Sequence, residues 1–243
     1  MTTPLTICTW LWHQDRCRTR YDASHVNAWA RMVSANLTRP HRLVCFTDKP
    51  SGIDSAVDCR PLPDFPIVST RWTRRSNMPV CYRRLSMFRR DAGEWIGERF
   101  VSMDLDLIVL GALDPMFDRD EDLMIAPGTG GGRPYNGSML MMDAGARPAV
   151  YETFTEERAQ KASRLHLGSD QGWLAYTLGN REATWRRHDG LAYHVVAGGE
   201  RHRRQTGRPA YSDARVLFFP GSVKPWDASV SAELRDRYEA YRT

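Results

Sequence analysis

Two short runs near the N-terminus constrain this chain most. Pro4 to Trp10 (PLTICTW) and Arg42 to Thr47 (RLVCFT) are dense in apolar and β-branched residues and read as buried strands. Between them lies a helical pattern. Ser24 stands where a cap belongs, and Val26, Ala30, Val33 and Leu37 fall on one face of a helix running to about Leu37. Strand, helix, strand in that order is a βαβ unit, and parallel strands need such a crossover. The expected fold class is α/β, with a mixed, mostly parallel central sheet flanked by helices.

The rest of the chain fits one globular body. It has 243 residues, 42% hydrophobic and 26% charged, ordinary values for a chain that buries a core. No apolar run approaches the roughly 20 residues of a membrane helix. The N-terminus lacks a basic region followed by an apolar stretch and cleavage site. Five cysteines, all in the first third, form no CxxC pair. Reduced thiols and a cytoplasmic location are expected. The net charge of +5 is scattered and does not point to nucleic acid. Only three of the 34 Lys+Arg residues are lysine, Lys49, Lys161 and Lys224, so each lysine is a rare event.

Further elements can be placed. Val80 to Arg90 has helical periodicity, with Cys81, Leu85 and Phe88 on one face. Arg99 to Met103, Leu107 to Leu110, Leu123 to Ala126, Ser138 to Met142 and Arg215 to Phe219 read as strands. Gly128 to Gly132 (GTGGG) reads as a flexible loop without the Gly-Lys-Ser/Thr ending of a P-loop. Ser169 is placed to cap a helix over Asp170 to Leu178. Gly198 to Pro209 reads as a basic, mobile loop. From Ala228 onward, Val230, Leu234, Tyr238 and Tyr241 line one face of a closing helix. No linker divides the chain.

The chemistry centres on Asp104-Leu105-Asp106. In an extended segment two carboxylates at i and i+2 point the same way, and at a strand end they can share one hard divalent cation. Asp118 to Asp122 (DRDED) holds two more D-x-D patterns, but those lie in a solvated charge run. Asp104 and Asp106 are flanked by apolar residues on both sides. A buried carboxylate pair there requires a metal, basic partners or a strand end open to water.

Four later segments, in order, extend the pattern: CYRRLSMF (81–88), YNGSMLMMDAG (135–145), GSDQGWL (168–174) and FPGSVKPW (219–226). Together with SMDLDLIVL the chain resembles GT-A fold glycosyltransferases similar to family 8, which includes glycogenin and bacterial lipopolysaccharide galactosyltransferases. The resemblance covers most of the chain from Cys81 to Trp226. It implies one GT-A-type, Rossmann-like domain over 1–243. Residues 1–110 would form its nucleotide-binding half, and 111–243 its sugar and acceptor half.

The resemblance also implies roles. Arg84 would lie near the donor phosphate and sugar, unless it is a surface arginine on an amphipathic helix. Asn136 would bond sugar hydroxyls, unless Asn-Gly simply makes a turn. Asp170 would bind sugar hydroxyls and Gln171 would lie near the anomeric carbon. The plain alternative for Asp170 is an acid favouring the helix dipole. Gly221 would let a diphosphate approach the backbone, and Lys224 would offer it a point charge. Thr9, on the first strand, would line the donor site. Asp104 and Asp106 would hold Mn²⁺ or Mg²⁺. One departure stands out: the family places a metal-binding histidine just before this glycine, and here the residues are Phe218, Phe219 and Pro220. His194 is the nearest upstream histidine in an uncharged setting, and it reads as a satisfied core residue.

The function so implied is metal-dependent transfer of a sugar, with retention, from a UDP-sugar to a glycan, lipid or protein acceptor. Two alternatives stay open: a nucleotidyltransferase using the same carboxylates, and a catalytically impaired relative that binds a nucleotide-sugar or glycan.

Overall fold

The computed structural model describes residues 4–14, 17–66, 68–75, 78–130, 133–194 and 211–242. The segment Gly198 to Pro209, expected as a basic loop, lies outside the described residues.

The βαβ unit forms as the pattern predicts. Strand β1 (Leu5–Leu11) leads into helix α1 (Ala23–Asn36) and strand β2 (His41–Thr47). The helix cap is Asp22, not Ser24. Its carboxylate accepts from the Ser24 amide at 3.0 Å, while Nδ1 of His25 accepts from the Asp22 amide at 3.1 Å. This reciprocal cap moves the helix start upstream of the expected serine. Val26, Ala30, Val33 and Leu37 are all buried.

Strands β3 (Val57–Arg60), β4 (Arg99–Met103), β6 (Leu123–Gly130), β7 (Arg133–Asp143) and β8 (Ala183–Thr184) complete a seven-stranded sheet of order β3-β2-β1-β4-β7-β6-β8. Strands β3, β2, β1 and β4 are parallel, β7 is antiparallel to both β4 and β6, and β8 runs parallel to β6. Alternate residues feed two cores. Ile7, Leu43, Cys45 and Val101 face α1, and Cys8, Val44, Phe46 and Phe100 face the opposite layer. Burial on both faces explains why these strands read as continuous apolar runs. The five cysteines are free thiols, and burial pushes Cys8 up to about 12.

A second, three-stranded sheet has the order β5-β10-β9, from β5 (Leu107–Val109), β9 (Leu191–Tyr193) and β10 (Val216–Phe218). The closing helix α7 (Ala232–Glu239) covers it with Leu234 and Tyr238, both buried. Short helices α2 (Ala92–Trp95), α3 (Asp114–Phe117) and α4 (Ala149–Glu152) turn the chain between strands. Helices α5 (Glu156–Leu165) and α6 (Asp170–Leu178) pack on the large sheet's second face.

Two expectations change here. Residues 80–90 form no one-sided α-helix but a 3-10 helix, Tyr82–Phe88, in which every residue except Arg83 is buried. The glycine-rich stretch is not a loop from Gly128 onward. Gly128–Gly130 extend β6, and β7 begins at Arg133, which pairs with Gly130; Gly131 and Gly132 lie outside the described residues.

Among the described residues no helix is long and apolar enough to cross a membrane.

Candidate active site

A cavity of about 840 Å³ opens beyond the C-terminal ends of β1 and β4. Ligands in α/β folds bind in this position, where parallel strands end and the connections diverge. Asp104, Asp106, Arg84, Asn136, Asp170, Gln171, Gly221 and Lys224 all line it.

Each comes from a different part of the chain for a stated reason. Asp104 follows β4 directly, and its amide donates to the Ser138 carbonyl at 2.8 Å. On the neighbouring strand the register jumps: Ile125 pairs with Leu140 but Ala126 pairs with Asn136. The bulge so formed pushes Gly137 and Ser138 toward the cavity, and bulges commonly re-aim side chains in this way. Asn136 therefore lies within a strand, and its side chain closes an Asx turn over Gly137 at the bulge. Its Oδ1 accepts from the Ser138 amide at 2.9 Å and from the Ser138 hydroxyl at 2.7 Å, which leaves the Nδ2 group as a donor toward the cavity.

Arg84 is a buried bridge rather than a surface residue. Its Nη1 donates to Oδ1 of Asp104 and its Nη2 to Oδ2 of Asp170. Burial works against its charge, but Asp170 and Asp104 outweigh that and hold its pKa well above the usual value. The same burial raises the pKa of Asp104, with Arg84 opposing and Asp106 adding to the rise. Asp170 opens α6 and its side chain is only 9% exposed. It therefore meets the helix dipole and, in addition, takes the Arg84 guanidinium. Ser169 precedes the helix without capping it. Its hydroxyl accepts from the Cys81 amide at 2.8 Å and donates to Asp170 at 3.3 Å, tying the 3-10 helix to α6.

Gly137 was not singled out from sequence, yet the bridge depends on it. A Cβ there would lie 2.7 Å from both Nη2 of Arg84 and Oδ2 of Asp170. The only signal was its place beside Asn136.

Asp106 belongs to the small sheet. Antiparallel pairing of β5 with β10 matches Leu107 with Phe218, so the residue before β5 meets the chain after β10. The Phe219 amide donates to the Asp106 carbonyl at 2.9 Å. Lys224 then returns over the site, and its Nζ donates to Oδ2 of Asp106 and, at 3.2 Å, to the Phe219 carbonyl. Tyr21 donates to the same carboxylate oxygen at 3.1 Å. Burial and the Asp106 charge push the Tyr21 phenol far up, so it stays a donor. Gly221 has φ of +95°, a left-handed conformation that favours glycine, and a Cβ there would meet nothing within 4 Å.

Two residues behave differently from expectation. Thr9 is fully buried behind the wall, its hydroxyl donating to the Met103 carbonyl at 2.9 Å, and Trp10, Leu11 and Trp12 reach the cavity instead. His194 is no satisfied core residue. It lines the cavity, stacks on Phe219 at 4.7 Å, and its buried Nδ1 has no hydrogen-bond partner among the described residues. Burial lowers its pKa, favouring the neutral ring.

The donor set fits a hard divalent cation in one way only. Among the described residues no group of three or more His, Cys, Asp or Glu is placed to hold a metal. Phe218 points into the core, fully buried. Asp104 and Asp106 do line one cavity. The oxygen of each that is not engaged by Arg84, Lys224 or Tyr21 suits a cation whose other ligands are phosphate oxygens and water.

No protein-family profile matches the chain, and no curated protein matches it. Solved structures do. The galactosyltransferase LgtC, in complex with donor and acceptor sugar analogs, is 15% identical; the match covers 98% of this chain and 95% of that one, with a TM-score of 0.62. The glycosyltransferase GlyE of Streptococcus pneumoniae TIGR4 is 14% identical over 99% of this chain and 60% of its own, with a TM-score of 0.60. The bifunctional glycosyltransferase WbbM is 12% identical over all of this chain and half of its own, with a TM-score of 0.59. The chain has the mixed α/β, GT-A-type fold of these glycosyltransferases.

Proposed function

We propose that this chain is a glycosyltransferase that moves a sugar from a UDP-sugar, with retention, and uses Mn²⁺ or Mg²⁺. One observation carries the reading. The acidic pair, the lysine loop, the Arg84 bridge and the amides of Asn136 and Gln171 converge on one cavity, although they span 141 positions of sequence from Arg84 to Lys224, both counted. The shared fold supports it.

Breaking a sugar–diphosphate bond places negative charge on the departing oxygen and positive charge at the anomeric carbon. Lys224 answers the first. Its flexible stem and three donors let the ammonium pass from Asp106 to a phosphate, and a fixed cation at a developing charge contributes several kcal/mol. Asp170 and the Asn136 amide orient the sugar, and Arg84 holds Asp170 in place. Gln171 lies on the face from which the acceptor hydroxyl attacks. The new bond joins the acceptor oxygen to the anomeric carbon, the old one leaves its electron pair on the diphosphate, and the hydroxyl proton is released. A divalent cation held by Asp104 and Asp106 would act as a Lewis acid toward the diphosphate. Residues 1–110 would supply the nucleotide side and 111–243 the sugar and acceptor side, with the large sheet crossing that boundary.

Thermal shifts with a panel of nucleotide-sugars, each with and without Mn²⁺, test this directly. Stabilisation that needs sugar nucleotide and ion together supports it. Asp104→Asn should remove both metal binding and transfer. Free UDP as product supports transfer, and released pyrophosphate would favour a nucleotidyltransferase. The buried Phe218 favours one further reading, a non-catalytic binder, which predicts donor binding without turnover in Mn²⁺ or in EDTA.

A further inference from the structure

The cavity carries more positive charge than its inner chemistry uses. Around the reacting position three carboxylates, Asp104, Asp106 and Asp170, face two cations, Arg84 and Lys224. A bound divalent ion and a diphosphate cancel each other there. Yet Arg18 and Arg75 also line the cavity, both exposed, and among the described residues neither meets a carboxylate. Among the described residues Arg18 donates to the Met78 thioether alone, at 3.5 Å, a weak acceptor. The Arg75 guanidinium lies 5.8 Å from the centre of the Trp72 ring. Trp72 is itself fixed: its indole N–H donates to the Pro79 carbonyl at 2.8 Å and its amide to the Ser163 hydroxyl at 3.0 Å. This wall contributes none of the groups gathered around Lys224.

We propose that the wall of Trp72, Arg75, Arg18 and Met78 is the acceptor subsite and that it takes an anionic saccharide, one bearing a carboxylate or a phosphate. The proposal rests on the transferase reading and names its second substrate class. Two guanidinium forks with unmatched donors suit a planar or tetrahedral oxyanion. Trp72, beside Arg75 on the same cavity wall, offers an apolar body to a sugar ring. Even with the one negative charge left over from the inner groups, a neutral acceptor would leave an arginine of this wall without a counter-charge in the cavity.

The test titrates the full chain, followed by NMR and in the presence of UDP, with methyl glucoside, methyl glucuronide and glucose 6-phosphate. At least one anionic probe should bind about tenfold tighter than the neutral one, the size expected from a single charge-assisted contact. The carboxylate and phosphate arms identify which anion is preferred. Arg75→Ala and Arg18→Ala should each erase most of that advantage while leaving the thermal shift produced by UDP unchanged. Equal binding of the neutral probe, or no binding of any probe, overturns the proposal. So does loss of the UDP shift in these variants, because the arginines would then serve the donor phosphates. Absence of a UDP shift in the unmodified protein is a separate result and counts against the transferase reading itself.

Discussion

Arg84 and Lys224 each hold one aspartate of the D-x-D pair, and they are built into the molecule differently. Arg84 is one cation between two carboxylates, at a point where the 3-10 helix, the end of β4, the β7 bulge and the start of α6 meet. Lys224 is one cation on one carboxylate, in a loop after β10, and Asp106 has a second donor in Tyr21. The Lys224 backbone is pinned by Asp227 at 2.7 Å, and Trp226 packs on His25 and Tyr238, so only the ammonium is free to change partners. The contrast separates a cation that assembles the site from one that can be lent to a substrate.

The largest break in that contrast is Arg84→Ala. The buried Asp170 and the half-buried Asp104 would lose their shared counter-charge, with a cost of about 3 kcal/mol, the low end for a broken buried pair because water still reaches Asp104. Urea unfolding should show that loss, together with loss of transfer. Next comes Gly137→Ala. The new methyl group needs the space of Arg84 and Asp170, and overpacking of this kind costs about 1–3 kcal/mol. Turnover should fall on the order of 100-fold, because the bridge is displaced by about an ångström. Lys224→Met should cost less stability, about 1–2 kcal/mol, since Tyr21 and water still reach Asp106. Its main effect should be on transfer rate and UDP affinity. A stability loss equal to that of Arg84→Ala would erase the distinction between the two cations.

The smallest effect concerns pH and His194, beside the Lys224 loop. Burial depresses its pKa below the usual 6.5. Its contribution to stability is therefore present above that usual value and is lost as pH falls through the lower folded-state value. His194→Phe keeps the ring on Phe219 and removes the titration. Denaturation at pH 7 and pH 5 should show a smaller acid loss in the variant than in the parent.

Much of the sheet was legible because local pattern governs it. β4 matches its expected boundaries, and β1, β2 and α1 fall within a residue or two. The 3-10 helix was not legible, since its burial comes from α4 and α6 packing over it. Asn136 reads as a turn residue in isolation, and only pairing with β6 keeps it in a strand. Gly137 and His194 looked ordinary because a close approach or an orphaned nitrogen is a property of neighbours distant in sequence.

The chain alone determined the βαβ start, the acidic pair at a strand end, and the order of polar segments that follow it, because apolar periodicity and charge placement are local quantities. Which cation each aspartate takes was decided by tertiary structure. The register of β5 on β10 brings Lys224 to Asp106, and the β7 bulge with α6 brings Asp170 to Arg84. Those pairings depend on strand register and on desolvation, and both exist only once the distant segments have packed.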